Sequence, residues 1–207
     1  IKESIKINTK LYLNKKNNQE WYFQIPISSK TTMGGGVPYP YNKQFAYVAM
    51  LSRWYNISKN DDIYLLLDKW KNYFLSKIEK TKKGNVWKYW DDPTKTITWY
   101  ETQNYGSHDV KHLMTIYENC NVFSKQEIID LTKAIRDCLI DCDSHVVRTK
   151  TNFEFNHSLN KLPSYNYLAL GGIWDDLLLC YKTHVETNDL HWTERVFIMH
   201  YFKKNFK

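Results

Sequence analysis

The chain has 207 residues, 43% of them hydrophobic and 25% charged, with only 7 glycines and 5 prolines, a balance that fits one substantial core and excludes a fibrous or linker-rich protein. Its formal charge of +7 is spread along the chain rather than gathered in a tail. That charge favours anionic partners, and an ordinary solvated surface carries it equally well.

Residues 1–30 alternate loosely through Ile5-Lys-Ile-Asn and Trp21-Tyr-Phe-Gln-Ile, which predicts extended or irregular chain. Met33-Gly-Gly-Gly-Val-Pro-Tyr-Pro-Tyr is a loop, because glycines permit unusual backbone angles and prolines stop a helix. A helix follows with Phe45, Ala49 and Ser52 on one face. Asn60-Asp61-Asp62 supplies cap-like groups for the next, whose stripe runs through Ile63, Leu66, Leu67, Trp70, Phe74 and Ile78 towards Gly84. Val86-Trp-Lys-Tyr-Trp and Ile97-Thr-Trp-Tyr-Glu predict two short strands around Asp91-Asp-Pro.

The helical period returns at Val110, Leu113, Met114 and Tyr117. Ser124 with Glu127 forms a capping-box pattern before Ile128, Leu131, Ile135 and Cys138 or Leu139. After an irregular stretch over 143–164, an apolar helix runs from Tyr167 to Tyr181 across Gly171-Gly172, and Trp192, Val196, Met199 and Phe202 provide its partner. The same unit therefore recurs: Tyr55-Asn-Ile-Ser-Lys, Tyr117 with Asn121-Val-Phe-Ser-Lys, and Tyr181-Lys-Thr-His stand 62 and then 64 residues apart. Units of this length are helical pairs that bury their faces against their neighbours. The prediction is a mainly α, single hairpin-repeat domain over residues 1–207, with an irregular or extended lead-in over 1–40 and a small β-hairpin insertion.

The order Pro40-Tyr-Asn-Lys-Gln, Trp87-Lys-Tyr-Trp, Glu101 and Gly106-Ser-His-Asp-Val resembles the (α/α) toroids of glycoside hydrolases, polysaccharide lyases and glucuronyl C5-epimerases. The resemblance covers roughly residues 38–204. It implies inner and outer helices alternating around a ring, with a cleft where the inner helices begin. Three hairpins are fewer than the six of a complete toroid, which implies a partial ring, a fragment or a subunit. No isolated acidic pair carries the hydrolase signature.

The resemblance directs attention to the starts of the inner helices. Tyr41, Asn42 and Gln44 offer a stacking ring and amides suited to sugar hydroxyls, or equally a helix cap. Trp87, Tyr89 and Trp99 share one face of the expected strands, as a platform for a sugar ring or as cross-strand packing. Glu101, His108 and Asp109 bring carboxylates and an imidazole to a helix start, as acid–base chemistry requires. Tyr105 joins His108 as a proton exchanger, and Arg148 with Asn166 joins Asn42 on the carboxylate side of a uronate. Tyr165 and Asn166 repeat the Tyr-Asn theme of the first unit. In a hydrolase, Glu101 and Asp109 would instead be acid and base or nucleophile.

The leading expectation is a carbohydrate-active protein handling a polysaccharide, uronic-acid-containing in the first version, by lyase, epimerase or hydrolase chemistry. The alternative is a non-enzymatic helical-repeat binding or interaction module. Neither needs a cofactor. His108 and His112 stand one turn apart but lack a third metal ligand, so no metal site is assigned. Cys120, Cys138, Cys142 and Cys180 form no CxxC pair and read as structural thiols, with a bridge left open. The expected partner is a polysaccharide or oligosaccharide, anionic in one version, with nucleic acid the weaker choice and self-association or missing segments a further option. An extracellular or periplasmic location goes with the carbohydrate reading.

Overall fold

Pro40 prepares the first long helix. Its φ of −50° and absent N–H suit the entry to α1, Tyr41–Ser58. The computed structural model describes residues 3, 9–28, 35–81, 84–92, 103–136, 149–150, 158–159, 169–171 and 173–174. Helix α1 ends at Lys59, whose left-handed backbone (φ 50°) returns its N–H to the Tyr55 carbonyl at 2.8 Å. The Lys59 ammonium reaches Asn56 Oδ1 at 3.0 Å and lies 5.4 Å from the Tyr55 ring. Asn60 then accepts from the Ile63 N–H and opens α2, Asp61–Leu75, with Asp61 and Asp62 at the positive end of its dipole. The landmark Tyr55-Asn-Ile-Ser-Lys is thus the chemistry of one helix–helix turn.

The second unit repeats the plan. Helix α3 spans Gln103–Asn119 and α4 spans Lys125–Ala134, the latter opened by a reciprocal capping box between Ser124 and Glu127. Phe45, Val48 and Ala49, then Leu66, Leu67, Trp70 and Phe74, then Val110, Leu113 and Met114, then Ile128, Leu131 and Ile135 all enter one core. Helices α1 and α3 pack most extensively on each other, while α2 lies along α1 and under the lead-in. Between them Phe45, Trp70, Phe74 and Trp87 meet edge to face or stacked, with centroids 4.9 to 5.7 Å apart.

Three small antiparallel pairs accompany the helices: β1 (Leu13–Lys15) with β2 (Trp21–Phe23), β3 (Glu79–Thr81) with β4 (Gly84–Val86), and β5 (Thr149–Lys150) with β6 (Ser158–Leu159). The lead-in is therefore partly a hairpin. It continues beyond β2, where Ile25 exchanges hydrogen bonds with Val37 and Gly36, and Tyr39 donates to Phe23.

A hairpin that the sequence did not suggest, β3–β4, precedes the expected one. Gly84 is the first residue of β4 rather than a helix terminator, and α2 has already ended at Leu75. The reason is close packing: β4 lies on α4, and at Gly84 (φ 128°) an added Cβ would come within 2.9 Å of the Ala134 nitrogen. Trp87 leaves the strand to enter the core, so it does not share a sheet face with Tyr89. The expected second strand, with Trp99, lies outside the described residues, as does most of the third helical pair. Its leading edge is visible: Leu170 is buried in the same core, and the Trp174 indole donates to Thr132 Oγ1 at 2.9 Å.

Candidate functional site

A groove of about 560 Å³ opens beside the start of α1. Tyr12, Tyr39, Tyr47 and Tyr89 form its walls together with Phe23, Pro40 and Lys43. Each wall is held from behind. Tyr39 and Tyr89 pack against a satellite core of Ile25, Val37 and Trp90, and the Trp90 indole donates to the Pro38 carbonyl. The Tyr89 carbonyl accepts the Tyr41 N–H at 3.0 Å, which fixes this loop to the first turn of α1. Tyr47 meets Phe23 edge-on at 4.5 Å, and Tyr12 lies 6.1 Å from Tyr39.

Tyr89 also carries the groove across to α3, because its ring lies 5.3 Å from that of Tyr105. Tyr105 is 45% exposed, and His108, one turn along α3, is exposed too. Tyr105 therefore stands at the groove's edge through its contact with Tyr89. Burial raises the phenols of Tyr39 and Tyr47 above their ordinary range, with the Tyr12 charge adding to the effect at Tyr39. Both phenols thus stay protonated through neutral and mildly alkaline pH, the Tyr47 hydroxyl itself being buried.

Other expected site residues serve the core. Gln44 is fully buried: its Oε1 accepts from the Phe23 N–H at 3.2 Å and the Trp70 indole at 3.1 Å, and its Nε2 donates to the Tyr39 carbonyl at 2.7 Å. It positions the groove wall and has no surface to offer a ligand. Trp87 and Asp109 are also fully buried, joined by an indole-to-carboxylate bond of 3.0 Å. Tyr41 is 1% exposed, edge-on to Phe74 at 5.4 Å. Its hydroxyl lies near that of Tyr73 without a partner at full hydrogen-bond geometry among the described residues, and burial, reinforced by the charges of Asp91 and Asp109, drives its ionisation well above the usual range. Asn42 is half-buried, and its buried Oδ1 lacks a hydrogen-bond partner among the described residues.

Close to Tyr41, Tyr73 donates to Asp91 Oδ2 at 2.9 Å, and Lys77 pairs with the same oxygen at 2.9 Å. Glu101, Trp99, Arg148, Tyr165 and Asn166 lie outside the described residues. The structure thus packs Tyr105 on Tyr89 of the groove wall, leaves His108 exposed one turn along α3, and buries Tyr41, Gln44, Trp87 and Asp109.

Sequence reasoning missed Tyr12, Tyr39, Tyr47 and Lys43. The signal was weak: Pro38-Tyr-Pro-Tyr spaces two rings across a stiff turn, yet only the lead-in pairing aims Tyr39 at Tyr12. A larger cavity of about 790 Å³ lies at the other end of α1, between Trp21, Trp54, Leu51 and Leu66. It is distant from Tyr105 and His108, so the smaller groove is the stronger candidate. Among the described residues no group of three His, Cys, Asp or Glu side chains could hold a metal ion, and no helix is long and apolar enough to cross a membrane.

No protein-family model matches the sequence, and no curated protein matches it. Among solved structures, the chain is similar to a GH76 α-mannanase of Bacteroides thetaiotaomicron, with a TM-score of 0.53 and 14% identity. The alignment covers 97% of this chain and 52% of that one, so the chain spans about half its length. At this identity the likeness is one of fold. It agrees with the mainly helical fold expected from the sequence.

Proposed function

We propose that this is a carbohydrate-active protein that lays a polysaccharide chain in the tyrosine-lined groove at the starts of α1 and α3, on a single hairpin-repeat domain forming part of an (α/α) ring. The observation that carries this reading is the convergence of Tyr12, Tyr39, Tyr47 and Tyr89 around one open groove, with Tyr105 packed on Tyr89. Tyrosine rings present flat apolar faces to a sugar ring and a hydroxyl to its polar edge. The fold-level likeness to a GH76 α-mannanase supports the same direction.

For chemistry, the candidate pair is Tyr105, packed on Tyr89, with His108, both exposed and three residues apart on α3. A phenol and an imidazole can exchange a proton with a bound sugar, the step shared by lyases and epimerases acting beside a uronate carboxylate. The burial of Asp109 and its bond to Trp87 weigh against its acting as a hydrolytic carboxylate, and favour a second reading in which the groove binds without reacting. Incubation with uronate-containing and neutral polysaccharides, followed by assay for unsaturated products and new reducing ends, tests the enzyme. Products that disappear in Tyr105→Phe and His108→Ala establish it. Retention of glycan without any product selects the binding module, and absence of both from a broad glycan panel removes the carbohydrate reading.

A further inference from the structure

We propose that the outward face shared by α1 and α3 is a docking strip for the negatively charged groups of a glycan, with Arg53 and Lys111 reading that charge. The inference rests on the carbohydrate reading and adds to it the class of substrate: an acidic rather than a neutral chain.

The strip follows from helical spacing. On α1, Lys43, Ala46, Met50, Arg53 and Ile57 recur every three or four residues and are exposed, opposite the buried Tyr41, Phe45, Val48 and Ser52. On α3, Tyr105, His108, Lys111 and Glu118 are exposed in the same way, with His112 and Thr115 half-buried between them. The two faces adjoin. Asn56 of α1 donates to Asn119 Oδ1 of α3 at 3.3 Å, and Arg53 acts electrostatically on His112 from across the helix pair.

Three cations on this face stand outside the ion pairs of the described residues. Lys16, Lys71, Lys77 and Lys88 each pair with a carboxylate elsewhere on the molecule. Lys43, Arg53 and Lys111 make no such pair among the described residues. Of the acids of α3, Asp109 is fully buried and bonded to Trp87, and Glu118, exposed in the last turn, forms no ion pair with Lys43, Arg53 or Lys111. Burial first, and then the charges of Lys111, His108 and Arg53, push the His112 imidazole down to about 4.

The strip also starts where the groove ends. Lys43 lines the groove, and Tyr105 touches it through Tyr89. At about 1.5 Å per helical residue, Lys111 lies roughly 9 Å beyond Tyr105 and Arg53 roughly 15 Å beyond Lys43. A chain seated on the tyrosines would thus carry its next charged groups over Lys111 and Arg53. The guanidinium fork suits a carboxylate or a sulfate ester, and the ammonium adds a point charge.

The test is calorimetric titration of the full chain with an oligogalacturonate, a sulfated neutral oligosaccharide, an unsulfated α-mannan oligosaccharide and a single-stranded oligonucleotide, all of matched length. Each is run on the wild type and on the double variant Arg53→Ala, Lys111→Ala. The expected result is at least about tenfold tighter binding of one acidic glycan than of the neutral one, with that preference lost in the variant and neutral binding retained. The preference should also shrink as salt is raised, a readout that needs no variant. In the wild type, NMR titration of His112 should show its pKa climbing from about 4 when the acidic glycan is bound. Equal binding of acidic and neutral glycans, unchanged by the double variant, overturns the strip and leaves the carbohydrate reading standing. Binding of the oligonucleotide alone overturns both in favour of a nucleic-acid partner.

Discussion

The Trp87 indole donates to Asp109 Oδ2 at 3.0 Å, in a position where neither side chain has solvent. This bond ties the segment after β4 to the first turns of α3, and it spans the floor beneath Tyr89 and Tyr105. An acid in this position is well suited to holding a site together and poorly placed to touch a substrate.

That relationship predicts distinct outcomes for three substitutions. Trp87→Phe removes the donor and leaves a buried acceptor short of a partner, at a cost of about 1–3 kcal/mol. Asp109→Ala should cost at least as much, since it strands the indole N–H and opens a void. Asp109→Asn keeps an acceptor and should lose less. Urea denaturation orders the three, and glycan retention by a folded Asp109→Asn protein would mark the residue as structural.

Gln44 joins the lead-in, α1 and α2 through three hydrogen bonds made by one buried amide. Gln44→Ala should destabilise by about 2–4 kcal/mol, because buried donors at Phe23 and Trp70 and an acceptor at Tyr39 lose their partner. Hydrogen exchange at the Phe23 amide should accelerate beyond the global loss. Unchanged protection there would show that the lead-in is anchored by its strands alone.

Tyr89 stands between the groove and α3. Tyr89→Ala should weaken glycan binding about tenfold, roughly 1.4 kcal/mol, by removing ring surface and the support of Tyr105. Tyr89→Phe keeps the ring and should change binding much less. If the two variants weaken binding equally, the hydroxyl rather than the ring face carries the contact.

His112 gives stability a pH dependence with a defined sign. Its folded pKa of about 4 lies below the ordinary value of 6.5, so the native state resists a proton that the unfolded chain accepts. Above about pH 6.5 both states are neutral and nothing is lost. As pH falls from 6.5 towards 4 stability declines, by roughly 1–2 kcal/mol once solvent screening is allowed for, and below that no further loss comes from this group. His112→Gln should flatten the slope of the urea midpoint between pH 4 and 6.5. A slope identical to wild type would assign the dependence to other groups.

The first two helical hairpins were legible in the residues themselves. Apolar spacing of three and four, Asn60 with Asp61 and Asp62, and Ser124 with Glu127 act within a turn or two, so local sequence suffices to specify them. The aromatic richness around Tyr89 and Tyr105 was legible too, as a composition. Which rings face a ligand was not. Trp87 and Tyr89 are two residues apart, yet a buried carboxylate draws the first inward while the satellite core of Ile25, Val37 and Trp90 backs the second against an open groove. Gln44 resembled a ligand-binding amide until its partners, 21 and 26 residues away, filled every bond it makes. Hydrogen bonds and packing between distant segments decide which polar groups remain available, and only the folded chain brings those segments together.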